Sequence, residues 1–256
     1  MGRIITIANQ KGGVGKTTTA INLSACLAEA GQHVMLVDFD PQGNASSGLG
    51  VEIEEHEHTV YDLMAEEAGL DECLVKNVQD NLDVLPSDMN LAGAEIEFQE
   101  IENKETLLKR YLDQVRDDYD FILIDCPPSL NILTINALTA ADTVLVPIQC
   151  EYYALEGLNQ VLKTVELVKR KLNPQLELEG VVFTMYDART NLSLQVVESV
   201  KNNLNQTIYK TIIPRNVRLA EAPSHGMSIN LYDTRSTGAE SYRMLAAEVM
   251  SRGEEL

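Results

Sequence analysis

A glycine-rich segment near the N-terminus carries lysines and threonines at a spacing suited to binding phosphate. Residues 9–18 have the sequence NQKGGVGKTT. Glycines allow successive backbone N–H groups to surround an anion, because no Cβ atom stands in the way. Lys16 can reach the outer phosphates of a nucleotide, and the hydroxyl of Thr17 can ligate Mg²⁺. The segment therefore predicts a site for a nucleoside triphosphate with magnesium.

The sequence on either side of this segment supports the same prediction. Residues 4–8 form a short apolar, β-branched run typical of a buried strand, and residues 19–30 carry apolar side chains at helical spacing. A helix that follows such a loop directs its N-terminal amides and the positive end of its dipole at the anion. The residues predicted to surround the nucleotide are Lys11, Gly12, Gly13, Val14, Gly15, Lys16, Thr17 and Thr18.

Carboxylates follow two other predicted strands. Asp38 and Asp40 come after a strand at 33–37, and Asp125 ends an apolar strand at 121–125. Ligands of open parallel sheets bind at the carboxyl ends of the strands, so these side chains should face the nucleotide. Four apolar residues followed by aspartate form the Walker B pattern, in which the carboxylate holds Mg²⁺ directly or through water. One of the earlier pair can organise water around the metal and the other can orient the attacking water, the alternative being an ordinary Asx-turn.

Length and pattern predict an α/β protein. The chain has 256 residues, 45% of them hydrophobic, and alternating strand and helix patterns predict one domain, residues 1–256, with a mostly parallel twisted sheet flanked by helices on both faces. No apolar run approaches the roughly 18 residues that span a bilayer, and the N-terminus lacks the form of a signal peptide. Four isolated cysteines without a C-x-x-C pair indicate buried thiols in a reducing cytoplasm.

The charge distribution argues against a globally basic nucleic-acid-binding protein. The formal net charge is −19. Residues 52–120 hold 21 acidic and 5 basic residues, whereas residues 181–256 hold 8 of each. DNA binding would therefore have to use a local basic face in the C-terminal third of the chain.

The glycine-rich segment departs from the plain pattern G-x-x-x-x-G-K-[ST]. Gln10 stands where that pattern has its first glycine, and a second lysine, Lys11, follows it. This deviant Walker A motif, together with DFDPQGN at 38–44 and IPRNVRLAEAPSHG at 213–226, resembles the ParA/MinD class of ATPases and most closely the Soj-type chromosome-partitioning ParA proteins. The resemblance covers essentially the whole chain. It implies a single-domain P-loop NTPase that hydrolyses ATP to ADP and phosphate with Mg²⁺.

The resemblance assigns catalytic roles. It implies that Lys11 reaches across a homodimer to the partner's nucleotide, although from charge alone a surface lysine is equally compatible with this position. It gives the water-orienting role to Asp40. Catalysis would then depend on Lys11, Lys16 and Asp40, and the metal would be held by Thr17 and Asp125.

The resemblance also assigns binding roles in the C-terminal third. Pro214 and Asn216 would contact adenine, because proline can stack on the base and the amide of asparagine can both donate and accept hydrogen bonds. Arg189 and Arg218 match the DNA-binding arginines of the family, although a lone surface arginine is usually a solubilising residue.

Partners and alternatives follow from the same resemblance. It implies an ATP-dependent sandwich homodimer that binds double-stranded DNA without sequence preference, a ParB-like centromere-binding protein that stimulates hydrolysis, and a cytoplasmic, nucleoid-associated location without a membrane. A MinD-type membrane ATPase would need a basic amphipathic C-terminal helix, and this chain ends MSRGEEL. An iron–sulfur carrier would need paired cysteines. A non-enzymatic nucleotide sensor is the third alternative.

Overall fold

A single twisted sheet runs through the protein. The structure, a computed structural model, describes residues 1–98, 101–204 and 207–253. The strands within these ranges are β1 (Arg3–Ile7), β2 (Val34–Asp38), β3 (Val75–Gln79), β4 (Leu82–Leu85), β5 (Phe121–Asp125), β6 (Thr143–Gln149), β7 (Glu177–Tyr186) and β8 (Ile208–Pro214). Their order across the sheet is β3-β4-β2-β5-β1-β6-β7-β8. Only the β3–β4 pair is antiparallel among these described strands, so the predicted mostly parallel sheet is confirmed.

Helices cover both faces of the sheet, as predicted. They are α1 (Lys16–Glu29), α2 (Asn44–Gly48), α3 (Val60–Met64), α4 (Leu70–Cys73), α5 (Ala94–Glu97), α6 (Leu107–Val115), α7 (Ile132–Ala140), α8 (Ala154–Lys171), α9 (Asn191–Asn203), α10 (Val217–Glu221), α11 (Ile229–Tyr232) and α12 (Thr237–Gly253). Strand side chains alternate between faces. Ile4 accordingly packs in the core with α6 to α9, whereas its neighbour Ile5 packs in the core with α1, α11 and α12.

The acidic region between β2 and β5 departs most from the sequence prediction. The sequence predicts a polar loop at 45–58, but α2 forms there because the carboxylate of Asp38 accepts hydrogen bonds from the backbone N–H and the hydroxyl of Ser46, at 2.8 and 2.7 Å. The edge strand β3 and the short helix α4 have no counterpart in the prediction. The sequence of β3, VKNVQ, is largely polar, and its strand state comes from backbone pairing with β4.

Several boundaries near the carboxyl ends of the strands also shift. Helix α1 begins at Lys16 rather than at the predicted residue 19, because Gly15 in the left-handed conformation ends the loop. The sequence predicts a strand at 179–184, and strand β7 continues to Tyr186, two residues further. Helices α10 and α11 occupy a stretch for which the sequence predicts no helix. The carboxyl ends of β1, β7 and β8 lie at one edge of the sheet, because these strands run parallel through their pairing with β6 and with one another.

Candidate nucleotide-binding site

The loop between β1 and α1 has the backbone of an anion-binding cradle. Gly13 and Gly15 adopt φ angles of +72° and +88°, which side chains other than glycine rarely adopt. The backbone N–H of Thr19 already donates to the carbonyl of Gly15, at 2.9 Å. The amides that precede Thr19 therefore lie in the loop and the first helical turn, where they are available to a phosphate.

Two buried side chains fix this loop to neighbouring strands. Asn9 donates from Nδ2 to the carbonyl of Pro147 in β6, at 2.8 Å, and accepts from the backbone N–H of Lys11, at 3.0 Å. Thr184 in β7 donates its hydroxyl to the carbonyl of Val14, at 2.7 Å. Sequence reasoning assigns neither residue a role. Position 9 directly precedes the motif, but the part played by Thr184 depends on a contact across 170 residues of chain.

Lys16 is the buried cation of the site. The residue is only 6% exposed, and its ammonium lies 3.5 Å from the carbonyl oxygen of Lys11. Burial lowers the pKa of Lys16, and the nearby carboxylate of Asp125 acts in the opposite direction. A desolvated ammonium at this position interacts with an incoming phosphate more strongly than one in water would.

Asp125 fits the role of a metal-holding carboxylate. It is fully buried, and among the described residues neither of its oxygens has a hydrogen-bond partner. Burial, followed by the neighbouring carboxylate of Asp38, raises the pKa of Asp125 well above its usual range. The nearby hydroxyl of Thr17, which does not reach hydrogen-bond geometry, and the charge of Lys16 act to lower it. Such an orphaned buried acid costs free energy unless a cation completes it. Thr17 is half-buried in the first turn of α1, so its hydroxyl and this carboxylate fit a hydrated divalent cation.

No complete protein-only metal site accompanies this carboxylate. The described residues contain no group of three or more His, Cys, Asp or Glu side chains arranged to hold a metal ion. A magnesium ion bound by Asp125 and Thr17 would take its remaining ligands from phosphate oxygens and water, as is usual for this ion.

The two carboxylates after β2 have different environments. Asp38 is fully buried, and besides its bonds to Ser46 it accepts from the backbone N–H of Asp40, at 3.3 Å. Burial raises the pKa of Asp38 to about 6. Asp40 is 7% exposed, and its Oδ1 accepts from the backbone N–H of Gln42, at 3.0 Å. Both oxygens of Asp38 therefore accept hydrogen bonds that stabilise the segment after β2, and Asp40 is the more accessible of the two carboxylates.

A cavity of about 530 Å³ opens beside the loop. Its walls come from the loop, from α1 and from the ends of β7 and β8, and they include Gly15, Thr18, Met185, Pro214, Asn216 and Tyr242. Its size and largely apolar walls suit a planar base. The structure thus brings the predicted residues Pro214 and Asn216 to the predicted phosphate loop.

Asn216 has two hydrogen bonds that the sequence does not reveal. Its Oδ1 caps α10 by accepting from the backbone N–H of Arg218, and its Nδ2 donates to the hydroxyl of Thr237, both at 2.8 Å. One lone pair and one N–H remain for a ligand. Sequence reasoning misses Met185, whose φ of +51° is unusual for a residue with a side chain. Its position directly after the predicted strand at 179–184 was the available signal.

Lys11 points away from this chain's own phosphate loop. Its ammonium lies 2.8 Å from a carboxylate oxygen of Glu151, in the segment before α8. The two side chains are 35% and 48% exposed. The two predicted lysines of the motif therefore occupy different environments, one buried beside Asp125 and the other in a surface ion pair.

The predicted DNA-binding arginines lie at the same edge of the sheet and are both paired. Arg189, after β7, donates to both carboxylate oxygens of Asp187, at 2.8 and 2.7 Å. Arg218, in α10, lies 2.8 Å from Glu221 and 3.5 Å from Asp233. Neither side chain lies in the base-sized cavity.

The cysteines have the character that the sequence predicts for them. All four are buried and free. Burial raises the pKa of Cys126, at the end of β5, well above its usual range, and raises the pKa of Cys150 to about 11. Protonated, enclosed thiols are poor ligands for an iron–sulfur cluster.

Comparison with known proteins identifies the family. Residues 2–178 match the family model of an AAA domain. The sporulation initiation inhibitor protein Soj of Bacillus subtilis is 58% identical over 253 residues, which cover 99% of this chain and 100% of that protein. The chain belongs to the Soj/ParA family of ATPases. Another Soj/ParA relative, the chromosome partitioning protein ParA of Caulobacter vibrioides, is 50% identical over 98% of this chain and 94% of its own length.

A solved structure confirms the P-loop NTPase fold expected of a Soj/ParA protein. Cobyrinic acid a,c-diamide synthase from Mycobacterium smegmatis, solved with bound ADP and magnesium, superposes with a TM-score of 0.88 at 36% sequence identity. The match covers 99% of this chain and 96% of that one. Within its described residues, this Soj/ParA chain has no helix long and apolar enough to cross a membrane.

Proposed function

We propose that this chain is a partitioning ATPase in which ATP with Mg²⁺ drives homodimerisation and DNA binding, and hydrolysis reverses both. The observation that carries the proposal is Asp125, a fully buried carboxylate without a partner among the described residues, next to the buried ammonium of Lys16. A protein retains such a costly arrangement where a bound ligand repays it. The two groups together match the opposite charges of a metal–triphosphate complex.

The substrate ATP has a place for each of its parts. The base fits the cavity lined by Pro214 and Asn216, and the phosphates fit the loop of residues 11–18, which borders that cavity. Loop amides and Lys16 would neutralise the phosphate oxygens. When bound, Mg²⁺ supplies further positive charge at the same oxygens. Thr17 and Asp125 are the side chains that would hold it.

Hydrolysis requires positioning more than covalent catalysis, because phosphoryl transfer leaves the protein little bond chemistry to perform. Asp40 is the carboxylate we assign to orient the attacking water. Asp38 is the weaker candidate, because both of its oxygens already accept hydrogen bonds from Ser46 and Asp40. Steady-state release of phosphate distinguishes this enzyme from a nucleotide sensor that does not turn over.

Lys11 is the residue that we assign to the dimer. In one protomer it is paired with Glu151, and both side chains are more than one third exposed. An ion pair of that kind contributes about 0–1 kcal/mol, so it can be exchanged for the γ-phosphate bound by a second copy. A second cation at that phosphate would act as an arginine finger does, by stabilising the charge of the transition state.

DNA binding completes the proposal. Arg189 and Arg218 are exposed at the edge of the sheet that carries the nucleotide site, so dimerisation through that edge would bring two sets of arginines together. Relatives named for chromosome partitioning support a partitioning role, and we extend it to a nucleoid-associated location and a ParB-like partner that stimulates hydrolysis. Residues 254–256, part of the acidic terminus that disfavours a MinD-like membrane role, lie outside the described residues.

Asp40→Ala and Lys16→Ala test the proposal by gel filtration with ATP and Mg²⁺. Lys16→Ala should lose ATP binding and elute as a monomer. Asp40→Ala should bind ATP, release no phosphate and accumulate as a dimer that retains DNA. Asp80→Ala, which removes an exposed carboxylate in the turn between β3 and β4, is the matched control and should behave as wild type. An Asp40→Ala protein that stays monomeric with ATP would refute the switch.

A further inference from the structure

Two exposed arginines lie beside the proposed DNA-binding pair, and neither has an ion-pair partner among the described residues. Arg215 follows β8, and its backbone N–H donates to the carbonyl of Tyr186 at the end of β7, at 2.9 Å. Arg235 lies in the loop before α12. Two residues further on, Thr237 at the start of α12 accepts a hydrogen bond from Asn216 at the start of α10, at 2.8 Å.

The pair assigned from the family supplies no excess positive charge. Asp187 holds Arg189 through two hydrogen bonds, and Glu221 and Asp233 flank Arg218 at 2.8 and 3.5 Å. Two arginines against three carboxylates leave one negative charge in excess. Their hydrogen bonds would have to rearrange before either guanidinium could make a full bidentate contact with phosphate.

Arg215 and Arg235 add two positive charges that no carboxylate pairs among the described residues. They offset the three carboxylates beside Arg189 and Arg218 and the exposed Glu240 in the first turn of α12, in a chain whose formal net charge is −19. The backbone hydrogen bond from Arg215 to Tyr186, at 2.9 Å, places Arg215 beside the segment that carries Asp187 and Arg189. Arg189 and Arg215 follow β7 and β8, and Arg218 and Arg235 each lie two residues from one partner of the hydrogen bond between Asn216 and Thr237. We call these four arginines the arginine strip.

We propose that Arg215 and Arg235 contact DNA phosphates and give the arginine strip its net attraction for DNA. The inference rests on the ATP-dependent DNA binding proposed above. An unpaired guanidinium can bind a phosphate in a bidentate manner without first breaking an ion pair. Each phosphate contact also releases condensed counterions, and this release is the main source of binding that does not depend on base sequence.

Arg215 is also placed to contact the nucleotide, so the experiment must distinguish this role from DNA binding. Its residue borders the base-sized cavity, so it could instead contact the nucleotide. Arg235 does not line that cavity. If substitution of either arginine weakens DNA binding alone, the effect comes from the arginine strip. If substitution of Arg215 weakens ATP binding, the effect comes from the cavity.

The experiment measures binding of the full-length protein to a fluorescent random-sequence DNA duplex over a range of salt concentrations, with Mg²⁺ and a slowly hydrolysed ATP analogue. The variants are Arg215→Gln, Arg235→Gln and the double variant. Lys171→Gln is the matched control, because Lys171 is exposed, has no ion-pair partner among the described residues and ends α8 at the opposite edge of the sheet. ATP affinity and dimer formation are measured on the same preparations.

Each single variant should reduce the slope of log affinity against log salt by about 0.9 per contact, or about 1.8 per dimer. The double variant should reduce it by about twice that amount, with ATP affinity and dimerisation retained. Lys171→Gln should keep the wild-type slope. Arg235→Gln should also keep the wild-type rate of ATP hydrolysis without DNA.

Three results would overturn the inference. A double variant with the slope of Lys171→Gln would show that the two arginines do not contact phosphate. An Arg215→Gln protein with weakened ATP binding would return that residue to the nucleotide cavity. Wild-type protein that binds anionic phosphatidylglycerol vesicles but no DNA would refute the DNA step of the proposed function itself, and that failure is visible before any variant is compared.

Discussion

The buried carboxylate of Asp38 should make the nucleotide-free protein less stable as the pH rises. It is fully buried at the end of β2 and lies opposite Asp125 on the neighbouring strand β5. Desolvation raises the pKa of Asp38 from 3.8 to about 6, although its hydrogen bonds to Ser46 act to lower it. Asp38→Asn removes the ionisation and keeps the shape of the side chain.

The magnitude follows from the two pKa values. Each unit of pKa is worth about 1.4 kcal/mol, so a rise from 3.8 to about 6 destabilises the charged folded state by roughly 3 kcal/mol at pH 7.5. The folded state binds this proton more tightly than the unfolded chain does. The penalty is therefore absent well below pH 3.8, grows as the pH rises towards 6 and is complete above it. Linkage leaves about half of it at pH 5.

Urea unfolding in EDTA without nucleotide measures this effect. The chain has no tryptophan, so far-UV circular dichroism is the suitable signal. The free energy of unfolding of Asp38→Asn, relative to wild type, should increase by roughly 1 kcal/mol between pH 5 and pH 7.5. The variant loses the 3.3 Å hydrogen bond from the backbone of Asp40. This loss would lower its free energy of unfolding by the same amount at every pH, so the difference between pH 5 and pH 7.5 would not change.

Asp80→Asn is the control, because it removes an exposed carboxylate from a turn far from the site. Its difference from wild type should not change with pH in this range. A stability difference for Asp38→Asn that is equally independent of pH would refute the reasoning, whatever its sign. It would mean that the fold accommodates the charged carboxylate without the desolvation cost argued here.

Three further predictions concern the loop, the metal and the core. Gly15→Ala should weaken ATP binding measured by calorimetry and destabilise the protein by about 1–2 kcal/mol, because alanine is strained at a φ of +88°; full ATP affinity would contradict this. Asp125→Ala should raise the thermal midpoint of the nucleotide-free protein, since it removes a buried unpaired acid. It should also abolish the further stabilisation by ATP with Mg²⁺. A lower midpoint would argue against an unpaired carboxylate at this position. Tyr209→Phe should cost about 1–3 kcal/mol in urea unfolding, because it leaves an oxygen of buried Glu179 without its 2.7 Å hydrogen bond, and an unchanged midpoint would argue against that bond.

The sequence predicts well those parts of the nucleotide site that depend on neighbours in the chain. The loop around Lys16, the strands that lead to Asp40 and Asp125 and the helix after Gly15 all follow from local periodicity and from the conformational freedom of glycine. Parallel strands then place their carboxyl ends at one edge, so the meeting of these residues could be predicted without coordinates.

Other predictions came from the family resemblance, and the structure shows only where their residues lie. The base contacts at Pro214 and Asn216 came from the resemblance, and the cavity that joins them to the phosphate loop exists only once β7, β8 and α12 are assembled. The edge strand β3 could not be predicted from its polar sequence, because backbone pairing with β4 stabilises it.

By itself, the sequence determined the chemistry of the phosphate loop and its carboxylates, because that chemistry is set by residue types a few positions apart. Only the tertiary structure decided which charges are free. The ion pair of Lys11 with Glu151 spans 140 residues of sequence, and Arg189 and Arg218 are neutralised while Arg215 is not. Whether a charge is available depends on its distance to every other charge and on its burial, and those distances are fixed only when the chain folds.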